Sequence, residues 1–218
     1  MIYSYPYPHP ALTTDIAVFT LLEGRLCVLL IERAEEPYAG AWALPGGFLR
    51  MDETLDACAR RELLEETGVE ASVLFPFANY SEPDRDPRER VVSAAYLALI
   101  PFDQMSPRAD SDAAAVRWAC LDSLPPLAFD HAAIVEGAQK ALRSRCEAFE
   151  ILLGLLPARF TLSAFQGAYE AVMGEPADRR NLHKAVLASG LITATDEMSR
   201  GRHRPARLFC AISGAWPS

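Results

Sequence analysis

The stretch GFLRMDETLDACARRELLEETGV, Gly47 to Val69, decides how this chain is read. Thr54 to Thr67 lacks Gly and Pro and ends at Gly68, so it predicts one helix of about four turns closed by a C′ glycine. At about 100° per residue, Glu62, Glu65 and Glu66 fall on one face of that helix, and three carboxylates converge on one small volume. Like charges so close repel, and a hard divalent cation such as Mg²⁺ relieves the repulsion while keeping room for waters and phosphate oxygens. Gly46-Gly47 leaves the neighbouring backbone bare, so that a carbonyl or amide can approach metal or phosphate. Such a site can orient a water and neutralise charge on a leaving phosphate.

Outward from the helix the chain alternates. Thr14 to Leu22 and Leu26 to Arg33 are Val/Ile/Leu-rich runs around Glu23-Gly24-Arg25, which predicts a hairpin. Strand-like runs follow at Ala71 to Asn79, Val91 to Ile100 and Ala114 to Leu121, and a helical pattern returns from His131 to about Arg145. After about residue 146 the pattern changes to short helices with a late strand pair. Ser163 and Gln166 have the spacing of a capping box before a helix ending at Gly174, and Asp178 can N-cap a second helix ending before Gly190. Gly174 to Ala177 then suits the turn of a helix-turn-helix, with Leu191 to Ala194 and Arg207 to Ile212 as a wing. The fold class expected is α+β, with one domain over 1–146 and a winged helix over 150–218.

Hydrophobic residues make up 50% and charged residues 23% of 218, which excludes wholesale disorder and collagen, and the net charge of −8 argues against a uniformly basic surface. The longest apolar run, Val91 to Ile100, is too short to span a membrane, and MIYSYPYPHP lacks the flank and core of a signal peptide. Five scattered cysteines, an odd number without a CxxC pair, predict free thiols in the cytoplasm. Between Asp178 and Leu208, however, seven basic residues face three acidic ones, a net +4 that leaves −12 on the rest of the chain. That asymmetry points to an anion such as DNA phosphate. Arg179, Arg180, Asn181, His183 and Lys184 lie early in the second helix, where a recognition helix meets base edges, and Arg200, Arg202, His203 and Arg204 fall on the wing near phosphates. A single small module buries little DNA surface, so a homodimer is expected.

The central stretch fits G-x5-E-x7-R-E-U-x-E-E-x-G-U at every position through Gly47, Glu53, Arg61, Glu62, Leu63, Glu65, Glu66, Gly68 and Val69. It resembles the box of the Nudix (MutT-like) hydrolases. The resemblance implies a mixed-sheet α/β/α sandwich, Mg²⁺ or Mn²⁺ held by Glu62, Glu65, Glu66 and the Gly47 carbonyl, and Glu53 paired with Arg61 to brace the loop. Members often recruit a further carboxylate beyond the box; Asp110 and Asp112 are on offer, although Ala115 stands where related sequences often carry Glu, and Glu65 is the other candidate base. Arg33 and Trp42 are candidate phosphate and base contacts. Composition reads Asp84 to Arg88 as a solvated loop and His131 as a helix-start residue, yet D-R-D-P-R, with Arg88, and F-D-H resemble segments of ADP-ribose-handling Nudix domains. A Nudix domain followed by this winged helix is similar to the Nudix-related transcriptional regulators of NAD metabolism. That likeness implies an ADP-ribose-sized ligand, a double-stranded DNA partner, and either retained pyrophosphate hydrolysis or ligand sensing alone.

Overall fold

The computed structural model describes residues 5–104, 113–199 and 205–212. Its first part is a seven-stranded sheet built from β1 (Ala11–Leu22), β2 (Arg25–Arg33), β3 (Trp42–Ala43), β4 (Gly46–Phe48), β5 (Val73–Tyr80), β6 (Val91–Leu99) and β7 (Ala113–Cys120). The main path runs β3-β2-β1-β6-β5, with β4 paired to β1 and β7 to β2; β1 and β6 are parallel. Side chains alternate across a strand, so β1 sends Ala17 and Phe19 into one core and Ile16 and Val18 into the other. Beside it β6 divides Leu97 and Leu99 from Tyr96 and Ala98 in the same way. Both faces are covered, by α1 (Leu55–Thr67) through Ala59 and Leu63 and by α2 (His131–Arg145) through Ile134, Ala138 and Leu142. Strands buried on two sides read as continuous apolar runs, which is why they are legible. The architecture is the α/β/α sandwich.

The second part comprises α3 (Leu162–Met173), α4 (Arg179–Ala188), β8 (Ile192–Met198) and β9 (Arg207–Ala211), the winged helix-turn-helix of the sequence reading. Phe165, Val172, Leu182, Val186, Ile192 and Phe209 belong to the same buried cluster as Phe19 and Leu142. The connection is also apolar: Ile151, Leu152, Leu153 and Leu155 are buried in a 3₁₀ turn between the parts. The winged helix is therefore packed onto the α2 face of the sandwich.

Two local expectations are corrected, and two short strands were not expected. Cys27 and Cys120 form a disulfide, because the β2–β7 register sets them directly opposite, 3.8 Å apart at Cα; Cys58, Cys146 and Cys210 are free. The cap of α3 is Thr161, whose hydroxyl accepts from the Ala164 N–H at 3.0 Å, whereas Ser163 lies inside the helix and Gln166 donates to Glu170. The short strands β3 and β4 have no sequence signal of their own length; β4 exists because Gly46 and Gly47 let the chain lie against β1, and a Cβ at Gly46 would collide with the Thr14 carbonyl. Among the described residues no helix is long and apolar enough to cross a membrane.

Thr161→Ala is expected to lower stability by about 1 kcal/mol, the usual cost of losing a cap, while Ser163→Ala stays within about 0.5 kcal/mol of wild type. Urea denaturation of the two variants distinguishes them, and equal effects would contradict the cap assignment.

Candidate active site and nucleic-acid interface

Thr54 caps α1 by accepting from the Ala57 N–H at 3.2 Å, and Gly68 closes it with a left-handed φ of 67°. Within that frame Arg61 is the hub. Its Nε and Nη2 donate to the two Glu53 oxygens at 2.9 and 2.6 Å, and its Nη1 donates to Glu62 at 2.6 Å and to Glu65 at 3.0 Å. The charge-assisted fork from Arg61 holds the Glu53 carboxyl down at about 2, and the Arg50 N–H adds to the effect. Glu66 accepts from the Gly46 N–H at 2.8 Å, and Glu62 lies so close to Gly47 that a Cβ there would strike its carboxylate. The box carboxylates thus converge on Arg61 and on the bare Gly46-Gly47 backbone, not on one another. Among the described residues no three acidic, His or Cys groups form a ready cage for a metal. The donor set, carboxylates beside an unobstructed glycine backbone, nonetheless has the hard-oxygen chemistry that Mg²⁺ takes.

A cavity of about 410 Å³ opens beside the box, lined by Gly46, Gly47 and Glu66 on one side and by β1, β2 and the 85–88 loop on the others. Its floor is a buried ionic network. Arg85, read from composition as part of a solvated loop, has a side chain only 5% exposed and donates to Asp15 at 3.0 Å and to both Asp130 oxygens at 2.9 and 2.7 Å. Ser93 donates to Asp15 at 2.6 Å, and the second Asp15 oxygen lies 3.4 Å from His131 Nε2. His131 Nδ1 accepts the Leu44 N–H at 2.9 Å, so His131 both starts α2 and lines the cavity. Burial lowers its pKa, with Arg85 and Arg33 acting in the same direction and Asp15 and Asp130 opposing.

Above the floor sit two cations. Arg88 is held by Asp86 through bonds of 3.0 and 2.7 Å, and Arg33 donates to the Pro37 and Glu35 carbonyls. Arg33 has its pKa lowered by burial and by the like charge of Arg88, a crowding that an anion in the cavity would relieve. Trp42 is not among the residues lining the cavity: β3 turns its ring under the Arg117 guanidinium, 4.0 Å away. Asp110 and Asp112 lie outside the described residues. Sequence reasoning placed Asp130 in the F-D-H resemblance but missed Asp15 and the burial of Arg85. A lone acid inside an apolar strand was the available signal, since such a charge needs a partner.

The second helix of the helix-turn-helix, α4, is capped by Asp178, which accepts from the Asn181 N–H at 2.7 Å. Arg179, Arg180, Asn181 and Lys184 are exposed on it, while Leu182 and Val186 anchor it to the core. His183 is half-buried, with Nε2 enclosed and without a hydrogen-bond partner among the described residues, so it is less available than its four neighbours. Arg200, Arg202, His203 and Arg204 lie outside the described residues. Arg143 of α2 donates through Nε to the Val172 carbonyl at 2.8 Å, near the end of α3.

A family model described as the NUDIX domain matches residues 11–137, and one described as the NrtR DNA-binding winged helix domain matches residues 152–211. The chain is 34% identical over 207 residues to the ADPR responsive transcriptional repressor NtrR of Acinetobacter baylyi, an alignment covering 93% of this chain and 82% of that protein. It is 38% identical over 130 residues to the ADP-ribose pyrophosphatase of Methanocaldococcus jannaschii, covering 60% and 73%. The crystal structure of Shewanella oneidensis NrtR complexed with a 27mer DNA superposes with a TM-score of 0.82 at 30% identity over 94% of each chain.

Arg85→Met is expected to cost about 3–5 kcal/mol in urea denaturation, because it strands the Asp15 charge in the interior. His131 has a native pKa below its unfolded value of about 6.5, so the unfolded chain binds more protons between the two values. Its contribution is complete above about 6.5 and is lost as the pH falls toward the native pKa. His131→Gln should therefore show a smaller loss of stability than wild type between about pH 7 and pH 5.5, and parallel curves would refute the assignment.

Proposed function

We propose, from the premise that this chain belongs to the Nudix family, that it is a DNA-binding transcription regulator whose Nudix cavity takes a nucleoside diphosphate of the ADP-ribose kind. The observation that carries this reading is the span of α2. The helix begins at Asp130 and His131 on the cavity floor and ends beside α3, where Arg143 grips the Val172 carbonyl just ahead of the turn into α4. A shared apolar core makes the link stiff. A ligand that favours one arrangement of the cavity loop thereby acts on the helix that meets DNA, as coupling between two sites requires. The likeness to a repressor named for its response to ADPR and to a structure named for its DNA supports the same reading. The protein would act in the cytoplasm as a homodimer on a palindromic duplex, with Arg179, Arg180, Asn181 and Lys184 at base edges, His183 beside them, and the wing arginines 200, 202 and 204 on phosphates.

Retained hydrolysis is a second reading, favoured by the complete box. Arg33 and Arg88 would hold the pyrophosphate against the Gly46-Gly47 backbone. Glu62, Glu65 and Glu66 with the Gly47 carbonyl would hold Mg²⁺ or Mn²⁺, which when bound lowers the pKa of a water and offsets charge on the leaving phosphate. Arg61, braced by Glu53, keeps Glu62 and Glu65 gathered before a cation arrives, and the Gly46 N–H holds Glu66. Glu65 is 46% exposed and is held by Arg61 and Arg50, which leaves it or Asp112 to accept the proton of the attacking water. ADP-ribose and water would give AMP and ribose 5-phosphate.

Glu66→Gln should cut Mg²⁺-dependent ADP-ribose hydrolysis by at least about 100-fold, and equal rates would remove Glu66 from the machinery. In duplex-binding assays Arg180→Ala should relax sequence preference, and absence of any duplex affinity at low salt would end the regulator reading. ADP-ribose should shift operator affinity by about 1–3 kcal/mol in the Glu66→Gln background. Adding Arg143→Met should shrink that shift while sparing ligand affinity; an undiminished shift would exclude α2 as the link.

A further inference from the structure

The mouth of the cavity carries three features that neither the box nor the phosphate-binding arginines use. Tyr38 and Phe129 both adopt left-handed backbone, with φ of 67° and 52°, a conformation that bulky side chains avoid unless their surroundings impose it. Their rings meet edge to face at 4.8 Å, which holds the Phe129 ring at the cavity wall. Phe48 is 39% exposed although it follows Gly47 in β4, and an aromatic ring left open beside a polar cavity calls for a partner. The Arg88 guanidinium lies over both rings, 5.4 Å from the Phe48 centroid and 5.8 Å from that of Phe129. A flat, delocalised cation therefore already occupies the space between the rings.

The third feature is Thr13. It lies directly opposite Phe48 in the β1–β4 register, lines the same cavity and is 8% exposed, yet its hydroxyl has no hydrogen-bond partner among the described residues. A buried hydroxyl without a partner costs stability unless something else satisfies it. A purine offers both what the rings lack and what the hydroxyl lacks: a flat π-face, and an edge of donors and acceptors. Base stacking on an aromatic side chain is stronger than an exposed cation–π contact, so a base can displace the Arg88 guanidinium and release it toward the phosphates.

We propose that Phe48 and Phe129 clamp the base of the nucleoside diphosphate and that the Thr13 hydroxyl hydrogen-bonds its edge, making these three residues the determinants of base specificity. The proposal rests on the nucleoside diphosphate reading above and replaces Trp42, the base contact expected from the sequence, with these three residues.

The test uses the full chain in metal-free buffer, with calorimetric titration of ADP-ribose, AMP and inorganic pyrophosphate. Wild type should bind all three. Phe48→Leu and Phe129→Leu should each weaken AMP by roughly 5- to 100-fold and leave pyrophosphate within about twofold, since only AMP carries a base. Phe48 is exposed enough that its variant folds even if Phe129→Leu does not. Thr13→Val should weaken AMP by about 3- to 10-fold without lowering the thermal midpoint, because among the described residues the hydroxyl has no hydrogen bond to lose. Unchanged AMP affinity in Phe48→Leu, or equal losses for AMP and pyrophosphate, overturns the clamp while ADP-ribose binding by wild type leaves the functional reading standing. Unchanged AMP affinity in Thr13→Val overturns the edge contact. If wild type binds neither ADP-ribose nor AMP, the functional reading falls, and this proposal with it.

Discussion

One buried guanidinium ties the working parts together. Arg85 reaches from the loop between β5 and β6 to Asp15 in the middle of β1 and to Asp130 at the start of α2. Two carboxylates around a single cation in the interior cannot be left half-paired, since an uncompensated buried charge is far more costly than the pair itself. The sheet, the cavity loop and the first turn of α2 therefore hold one mutual geometry. His131, neutral and bonded to the Leu44 N–H, extends the constraint to the segment that leads into the glycine pair. The position of the 85–88 loop, and with it that of Arg88, follows from this network.

The second charged hub serves a different purpose. Arg61 lies at the rim and gathers Glu53, Glu62 and Glu65, so that the acidic face of α1 is kept compact without a cation. The strongest of these contacts is the fork to Glu53, which is why that carboxyl has the depressed pKa. Glu62 and Glu65 hold single contacts to Nη1 and are the easier to release. A frame that fixes Glu53 while leaving its neighbours exchangeable suits a site that must accept and discharge a charged ligand.

Between these hubs and α4 the connection is packed. The 3₁₀ turn after α2 is buried, the cores of the two parts are continuous, and Arg143 fastens α2 to α3. Such packing passes small displacements on as rigid-body shifts, because close-packed interiors deform in steps and not smoothly.

The helix over the box, the strands of the sheet, α2 and the helix-turn-helix were legible because each has a local cause: an apolar period, a terminal glycine, a capping aspartate. The family likeness was legible for a similar reason, since nine spaced positions from Gly47 to Val69 lie on one loop and one helix. Pairings across the sheet left no such trace. Cys27 meets Cys120 only through the β2–β7 register, Arg85 meets Asp15 only once β1 and β6 are neighbours, and Trp42 faces Arg117 instead of the cavity because β3 adds to the edge of β2. The sequence by itself determined which segments are helices and strands and which helix carries the acidic chemistry. Tertiary structure decided which charges are buried together and which rings line the cavity, because those contacts join residues tens of positions apart and depend on strand order and register, which no local pattern encodes.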